Sequence, residues 1–154
     1  MINVGVISDT HGLLRPEAVT ALQGVDSIIH AGDIGSPDIV RELLRIAPLH
    51  AIRGNVDTEP WANAFPVTDV VQFGSVLLYV LHDLKTLDLN PHAAGFAAVI
   101  SGHSHQPGIE NREGVLYFNP GSAGPRRFNL PISLGKICIG NDGLLHPELI
   151  PLAI

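Results

Sequence analysis

A chain of 154 residues is the size of one ordinary domain, long enough to bury roughly two-thirds of the surface its unfolded form exposes. With 45% of its residues apolar it has the composition of a globular domain and not of a disordered segment. A net charge of −6 disfavours binding to a nucleic-acid duplex, which needs clustered Lys and Arg, and leaves carboxylates that bound cations could neutralise.

The opening residues Met1 to Ser8 lack the basic start and small-residue cleavage site of a secretory signal and read as a strand. That strand runs into the polar turn Asp9-Thr10-His11-Gly12. Pro16 suits the first turn of a helix, which Glu17 to Leu22 carry to a stop at Gly24. Ser27 to Ala31 is a second strand, ending in Gly32-Asp33-Ile34-Gly35. Ser36 is an N-cap followed by Pro37, and Ile39, Val40, Leu43, Leu44 and Ala47 form the apolar stripe of a second helix, closed by Pro48. Leu49 to Arg53 is a third strand, ending in Gly54-Asn55-Val56-Asp57. This repetition of strand, glycine turn and helix indicates parallel strands joined by crossovers.

Further on, Val67 to Phe73 and Ser75 to Leu81 flank Gly74 as antiparallel strands, the second ending at His82-Asp83. Val76 to Leu81 is the longest apolar run, far short of the roughly 20 residues that cross a bilayer, so no membrane partner is expected. Leu84 to Ala94 reads as a loop with a short helix started by Asn90-Pro91. Ala97 to Ser101 is a strand feeding Gly102-His103-Ser104-His105. In extended chain, side chains i and i+2 share a side, so His103 and His105 are expected to reach into one cavity. Gly108 to Arg112 and Val115 to Phe118 form a hairpin across Glu113-Gly114. Asn119 to Pro125 is too rich in Gly and Pro to be regular, and Ile132 to Ile139 with Leu144 to Ile150 form a closing hairpin. The single Cys138 excludes an internal disulfide, and the expected compartment is the cytoplasm. Residues 1–154 read as one mixed α/β domain without repeat or linker.

Five of these strands end in residues of metal-ligand type: Asp9 with His11, Asp33, Asn55, His82, and His103 with His105. In α/β sheets, ligands gather at the carboxyl edge of the strands. Each residue alone has an ordinary structural reading, as a cap, a turn residue or a satisfied core histidine. Together they would require the same coincidence at five strand ends. Carboxylates and imidazoles without thiolate suit Mn, Fe, Zn, Co or Ni. The set is too large for one tetrahedral ion and fits two, about 3.5–4 Å apart, sharing a carboxylate.

The ordered set Asp9-Thr10-His11, Gly32-Asp33, Gly54-Asn55, His82 and Gly102-His103-Ser104-His105 resembles the calcineurin-like metallophosphoesterases, and Asn119-Pro120-Gly121-Ser122 resembles their small bacterial and archaeal phosphodiesterase branch. The resemblance implies a four-layer α-β-β-α sandwich, with two mixed sheets face to face and helices outside. It implies that Asp9, His11, Asp33 and His105 hold one divalent ion and Asp33, Asn55, His82 and His103 the other. Manganese leads among the metals. The implied chemistry is in-line attack of metal-activated hydroxide on a small phosphodiester, with Asn55 able to donate an N–H to the phosphoryl oxygen.

Two departures stand out. Where phosphoprotein phosphatases place a histidine after Gly-Asn, this chain has Val56, which favours diesters or activated leaving groups over alkyl monoesters. His82 is followed by Asp83 where many relatives have glycine, so Asp83 either orients a histidine or water or is a turn residue. Arg126 is a candidate substrate contact, whereas solvated surface is the ordinary reading of Arg126-Arg127. Asp57 has no evident role, and His30, His50, His92 and His146 are assigned none. Trp61 and Phe65 read as core packing. A dinucleotide polyphosphate hydrolase is the second substrate reading. A non-catalytic scaffold like the superfamily's retromer subunit is the alternative class, and homo-oligomerisation stays open.

Overall fold

A computed structural model describes residues 1–154. Strands β1 (Ile2–Ile7), β2 (Ser27–His30) and β3 (Leu49–Ala51) run parallel, linked by helices α1 (Pro16–Ala21) and α2 (Pro37–Leu44). Helix α2 starts where the Ser36 hydroxyl accepts the Asp38 N–H, and it buries Ile39 and Leu43. The opposite side of β1 pairs antiparallel with β9 (Ser133–Ile139), and β9 with β10 (Leu145–Pro151), giving the order β10-β9-β1-β2-β3.

The second sheet has the order β4 (Thr68–Phe73), β5 (Val76–Leu81), β6 (Ala98–Ile100), β8 (Val115–Asn119), β7 (Gly108–Arg112). Strands β5, β6 and β8 are parallel. The edges β4 and β7 are antiparallel hairpin partners. Alternation places Val4, Val6 and Ile29 of the first sheet against Leu78, Val80, Ile100 and Phe118 of the second, all fully or nearly fully buried. The first sheet's other face packs Ile7 and Ile28 against Leu22, Ile39 and Leu43 of the helical layer. The parallel strands are thus apolar on both faces, as buried parallel strands must be.

The architecture is the expected four-layer sandwich, with a thin fourth layer. Over Tyr79, Leu81, Val99 and Val115 lie only a 3-10 turn at Leu84–Thr86, the single-turn helix α3 (Pro91–Ala94), and Leu87, Leu89 and Phe96. The third strand stops at Ala51, two residues short of expectation, because the Arg53 N–H turns to the Pro66 carbonyl. The loop after Asn55 contains a 3-10 helix at Pro60–Ala64 that the sequence did not announce. Its Trp61 meets Phe65 edge-on at 6.4 Å, and both pack on the helix-side core. No helix is long and apolar enough to cross a membrane.

Candidate metal centre

The carboxyl ends of β1, β2, β5, β6 and β8 and the turn after β3 meet at one rim, where backbone bonds zip the turns together. Asp9 N–H donates to the Gly32 carbonyl at 3.0 Å, His11 N–H to Asp33 at 2.9 Å, and Gly102 N–H to His82 at 2.9 Å. Asp9, His11, Asp33, His103 and His105 all adopt left-handed backbone conformations, with φ between 47° and 68°. Each such non-glycine residue costs of order 1–3 kcal/mol, and this strain concentrates where side chains must be aimed. The extended geometry expected for His103 and His105 is therefore absent. Their left-handed turns send His105 to Asp9 and His11, and His103 to Asp33 and His82. Neighbouring glycines allow the close approach: a Cβ on Gly54 would overlap the Asp33 carboxylate, and one on Gly102 would overlap the Ser8 hydroxyl.

Two groups of ligand atoms result, Asp9 with His11 and His105, and Asp33 with His82 and His103, the atoms of each lying within 4.8 Å of one another. Asp33 Oδ2 joins the groups, 3.0 Å from His82 Nε2 and 3.7 Å from His11 Nε2. Asp9 Oδ1 lies 3.4 Å from His105 Nε2, 3.7 Å from His11 Nε2 and 3.8 Å from His82 Nε2. Asn55 Oδ1 is 3.2 Å from His103 Nδ1. All seven candidate side chains thus share one site, Asp9 and Asp33 buried and Asn55 and His103 at its open side.

The residues fit divalent cations. Asp9 Oδ1, His82 Nε2 and His105 Nδ1 are buried without a hydrogen-bond partner, a state costing roughly 1–3 kcal/mol per atom unless something else satisfies it. His82 Nδ1 donates to the Ala31 carbonyl at 2.7 Å, leaving Nε2 as a lone pair beside Asp33 Oδ2 but off the line of a hydrogen bond. A backbone carbonyl fixing the tautomer is how metal-ligating histidines are oriented. Oxygen and nitrogen donors without sulfur suit first-row divalent metals.

Burial alone would raise the Asp9 pKa, but His11, the Ser8 hydroxyl, His82 and His105 outweigh it and hold the carboxyl below its ordinary value. Burial is likewise overcome at Asp33, by His82 and the Val56 N–H, and its pKa is also lowered. At His82, burial opposes charge, yet Asp33, the Ala31 carbonyl and Asp9 raise the pKa. Burial, with the charges of Arg127 and His11, lowers that of His105. Both carboxylates are therefore ionised at neutral pH.

Around the ligand-type side chains stand residues that hold the turns together, along with Asp83 and Arg126, two positions the sequence singles out. Asp57 is buried, and its carboxylate accepts N–H bonds from Gly54 at 2.8 Å, Gly35 at 2.9 Å and Ile34 at 3.0 Å, locking the Asp33 turn to the Asn55 turn. His30, fully buried, accepts the Gly32 N–H on Nδ1 at 3.1 Å. Its Nε2–H donates to the Thr10 hydroxyl at 3.0 Å, which in turn donates to the Ile34 carbonyl. Ser8 donates to Asp9 Oδ2 at 2.7 Å and Ser122 to the Asp9 carbonyl at 2.9 Å. Asn119 Nδ2 donates to the Gly102 carbonyl at 3.0 Å, so the Asn-Pro-Gly-Ser turn braces the histidine loop. Asp83 Oδ1 accepts the Lys85 N–H at 3.0 Å while Oδ2 stands 3.8 Å from His103 Nε2. Arg126 is exposed, its Nη1 3.4 Å from the Leu130 carbonyl. The signals for Asp57 and His30 were position alone, two residues after Asn55 and two before Gly32.

Residues 2–141 match the model of the calcineurin-like phosphoesterase superfamily domain. A probable metallophosphoesterase of Methanothermobacter thermautotrophicus is 37% identical over 131 residues, 77% of this chain and 76% of that protein. Among solved structures, an archaeal phosphodiesterase superposes with a TM-score of 0.78 at 22% identity, covering 97% of this chain and 100% of that one. Vps29 of Entamoeba histolytica, solved with zinc, superposes with a TM-score of 0.76 at 19% identity, covering 97% of this chain and 99% of that one.

Proposed function

Because the chain belongs to the calcineurin-like phosphoesterase superfamily, we propose that it is a dinuclear metal-dependent phosphodiesterase acting on small phosphate diesters. The carrying observation is the convergence of seven ligand-type side chains from separate strand ends on one rim, with buried donor atoms unpartnered. Asp9, His11, Asp33 and His105 would hold one divalent ion and Asp33, Asn55, His82 and His103 the other, with manganese the first metal to test. Such a pair supplies charge neutralisation for the phosphate and a lowered pKa for water. Asn55, whose Oδ1 faces His103, keeps its amide N–H groups unengaged and able to bind a phosphoryl oxygen. Water then attacks phosphorus in line with the departing oxygen. Val56, 45% exposed beside Asn55, cannot protonate that oxygen, so the best substrates carry leaving groups stable as anions.

The test is turnover of a chromogenic aryl diester and of an alkyl monoester by manganese-loaded protein. The diester should be the faster substrate. Asp33→Asn should cost on the order of 100-fold or more, since the shared carboxylate carries several kcal/mol of charge stabilisation. A faster alkyl monoester overturns the diester preference. Inactivity on every phosphate ester, with manganese or nickel supplied, favours the scaffold reading that the likeness to Vps29 offers. Dinucleotide polyphosphates belong in the same panel as the second substrate class.

A further inference from the structure

Two clefts meet at the rim, and His103 and Asp83 line both. One, of about 440 Å³, extends from Asn55, His82 and His103 past Thr58 and Thr68 to Arg53. The other, of about 600 Å³, lies between the β7–β8 hairpin and the 3-10 turn at Leu84, walled by Leu84, Ile109, Tyr117 and Phe118.

Their charges differ. In the larger cleft Arg112 pairs with Glu110 at 2.9 Å and lies 4.6 Å from the centre of the Tyr117 ring. Lys85 there is matched by Asp83, so the cleft carries no formal net charge. In the smaller cleft Arg53 is the one cation against the carboxylates of Asp57 and Asp83, so any attraction for an anion is local to its Arg53 end. It is partly buried, and its guanidinium makes no hydrogen bond or salt bridge within the protein. The cleft's carboxylates are engaged elsewhere: Asp57 takes three backbone amides and Asp83 takes the Lys85 amide. An unpaired guanidinium in a cleft that Thr58 and Thr68 also line matches a phosphate or carboxylate, which it can bind through two parallel N–H bonds.

We propose that the two clefts seat the two ester arms of the substrate, an arm bearing a second anionic group lying against Arg53 and an uncharged, aromatic-compatible arm lying along Tyr117. This rests on the phosphodiesterase reading and narrows it to asymmetric diesters with an additional phosphate or carboxylate on one side. A diester needs room on both sides of phosphorus, and the rim supplies it only because the clefts join at His103.

The test compares a nucleoside p-nitrophenyl phosphodiester with the same compound carrying an extra phosphate on its sugar. The wild-type protein should show a KM about tenfold lower for the extra-phosphate diester, the value of one charge-assisted contact. In Arg53→Gln the ratio of the two KM values should fall to near one, and taking it within each variant cancels any common loss. Arg53→Met keeps the packed stem and serves if the Gln variant misfolds. Calorimetry on metal-free protein, with a nucleoside bisphosphate against the monophosphate, should show the same preference and the same dependence on Arg53. No preference in the wild type, or one that survives loss of Arg53, overturns the proposal. If no diester is hydrolysed while the Arg53-dependent binding persists, the anion site stands and the phosphodiesterase reading falls.

Discussion

His30 has both ring nitrogens committed, one accepting from Gly32 and one donating to Thr10, so a second proton has no place without breaking the network. Burial pushes its pKa down to about 4. An unfolded chain protonates this imidazole below about pH 6.5, so the unfolded state takes up the proton first and stability falls as pH drops between those two values. For metal-free protein the His30 contribution amounts to about 2 kcal/mol lost between pH 7 and pH 5. Urea unfolding of wild type and His30→Gln should show that difference in slope, and parallel curves would remove His30 from the account. The contrast with Asp9 and His11 explains what the sequence made legible. Those candidate ligands sit in short local patterns at strand ends, where the spacing itself singles them out. Asp57 takes the Ile34 and Gly35 amides of the Asp33 turn and His30 reaches the Thr10 hydroxyl of the first turn, and no local pattern encodes a partner that only the fold supplies. Arg53 escaped for the opposite reason, since an unpaired cation in a cleft looks in sequence like any surface arginine.

At the level of turns and strands, the elements are largely readable because their periodicity is strong: the three parallel strands joined by two crossovers and all three hairpins stand where alternation and glycine turns put them. The turns themselves are not. Sequence alternation predicts His103 and His105 extended, yet both are left-handed, because their conformations answer to Asp9 and Asp33 across the rim. Close approach decides the glycines as well. Gly102→Ala places a Cβ on the Ser8 hydroxyl and 2.6 Å from Asp9 Oδ2, an overpacking expected to cost about 1–3 kcal/mol and to weaken metal binding. Gly108, where a Cβ meets nothing within 4 Å, is the matched control in the same region. Thermal unfolding with a metal titration should separate the two alanine variants, and equal behaviour would show that the Gly102 approach is not a constraint.

Across the whole molecule, the proposed pair of ions, if bound only by the native state, would stabilise it by mass action. At free metal near 100 times the dissociation constant each contributes about 2.7 kcal/mol, and for a chain of this size two ions should raise Tm by roughly 10–20 °C. Scanning calorimetry with manganese and then with chelator checks this. Asp33→Asn should lose most of the shift, and a wild-type Tm indifferent to metal would rule out a native-state metal centre. The sheets explain why so much depends on one rim: each contributes three parallel strands pointing the same way, and every candidate ligand follows one of those strands or their crossovers.

Strand β1, which delivers Asp9 and His11, is gripped on one side by β2 and on the other by β9, pairing Ile2 with Ile139 and Val6 with Gly135. During synthesis the early strands and α2 can form while the distant partner is still untranslated, so β1 waits as an open edge. Sheet pairing over such sequence separation is slow, because loop closure precedes any return from the contacts it makes. The Asp9–His11 turn should therefore be among the last to be fixed, and a nascent chain should expose an apolar edge until β9 arrives, the stage at which chaperones would matter most.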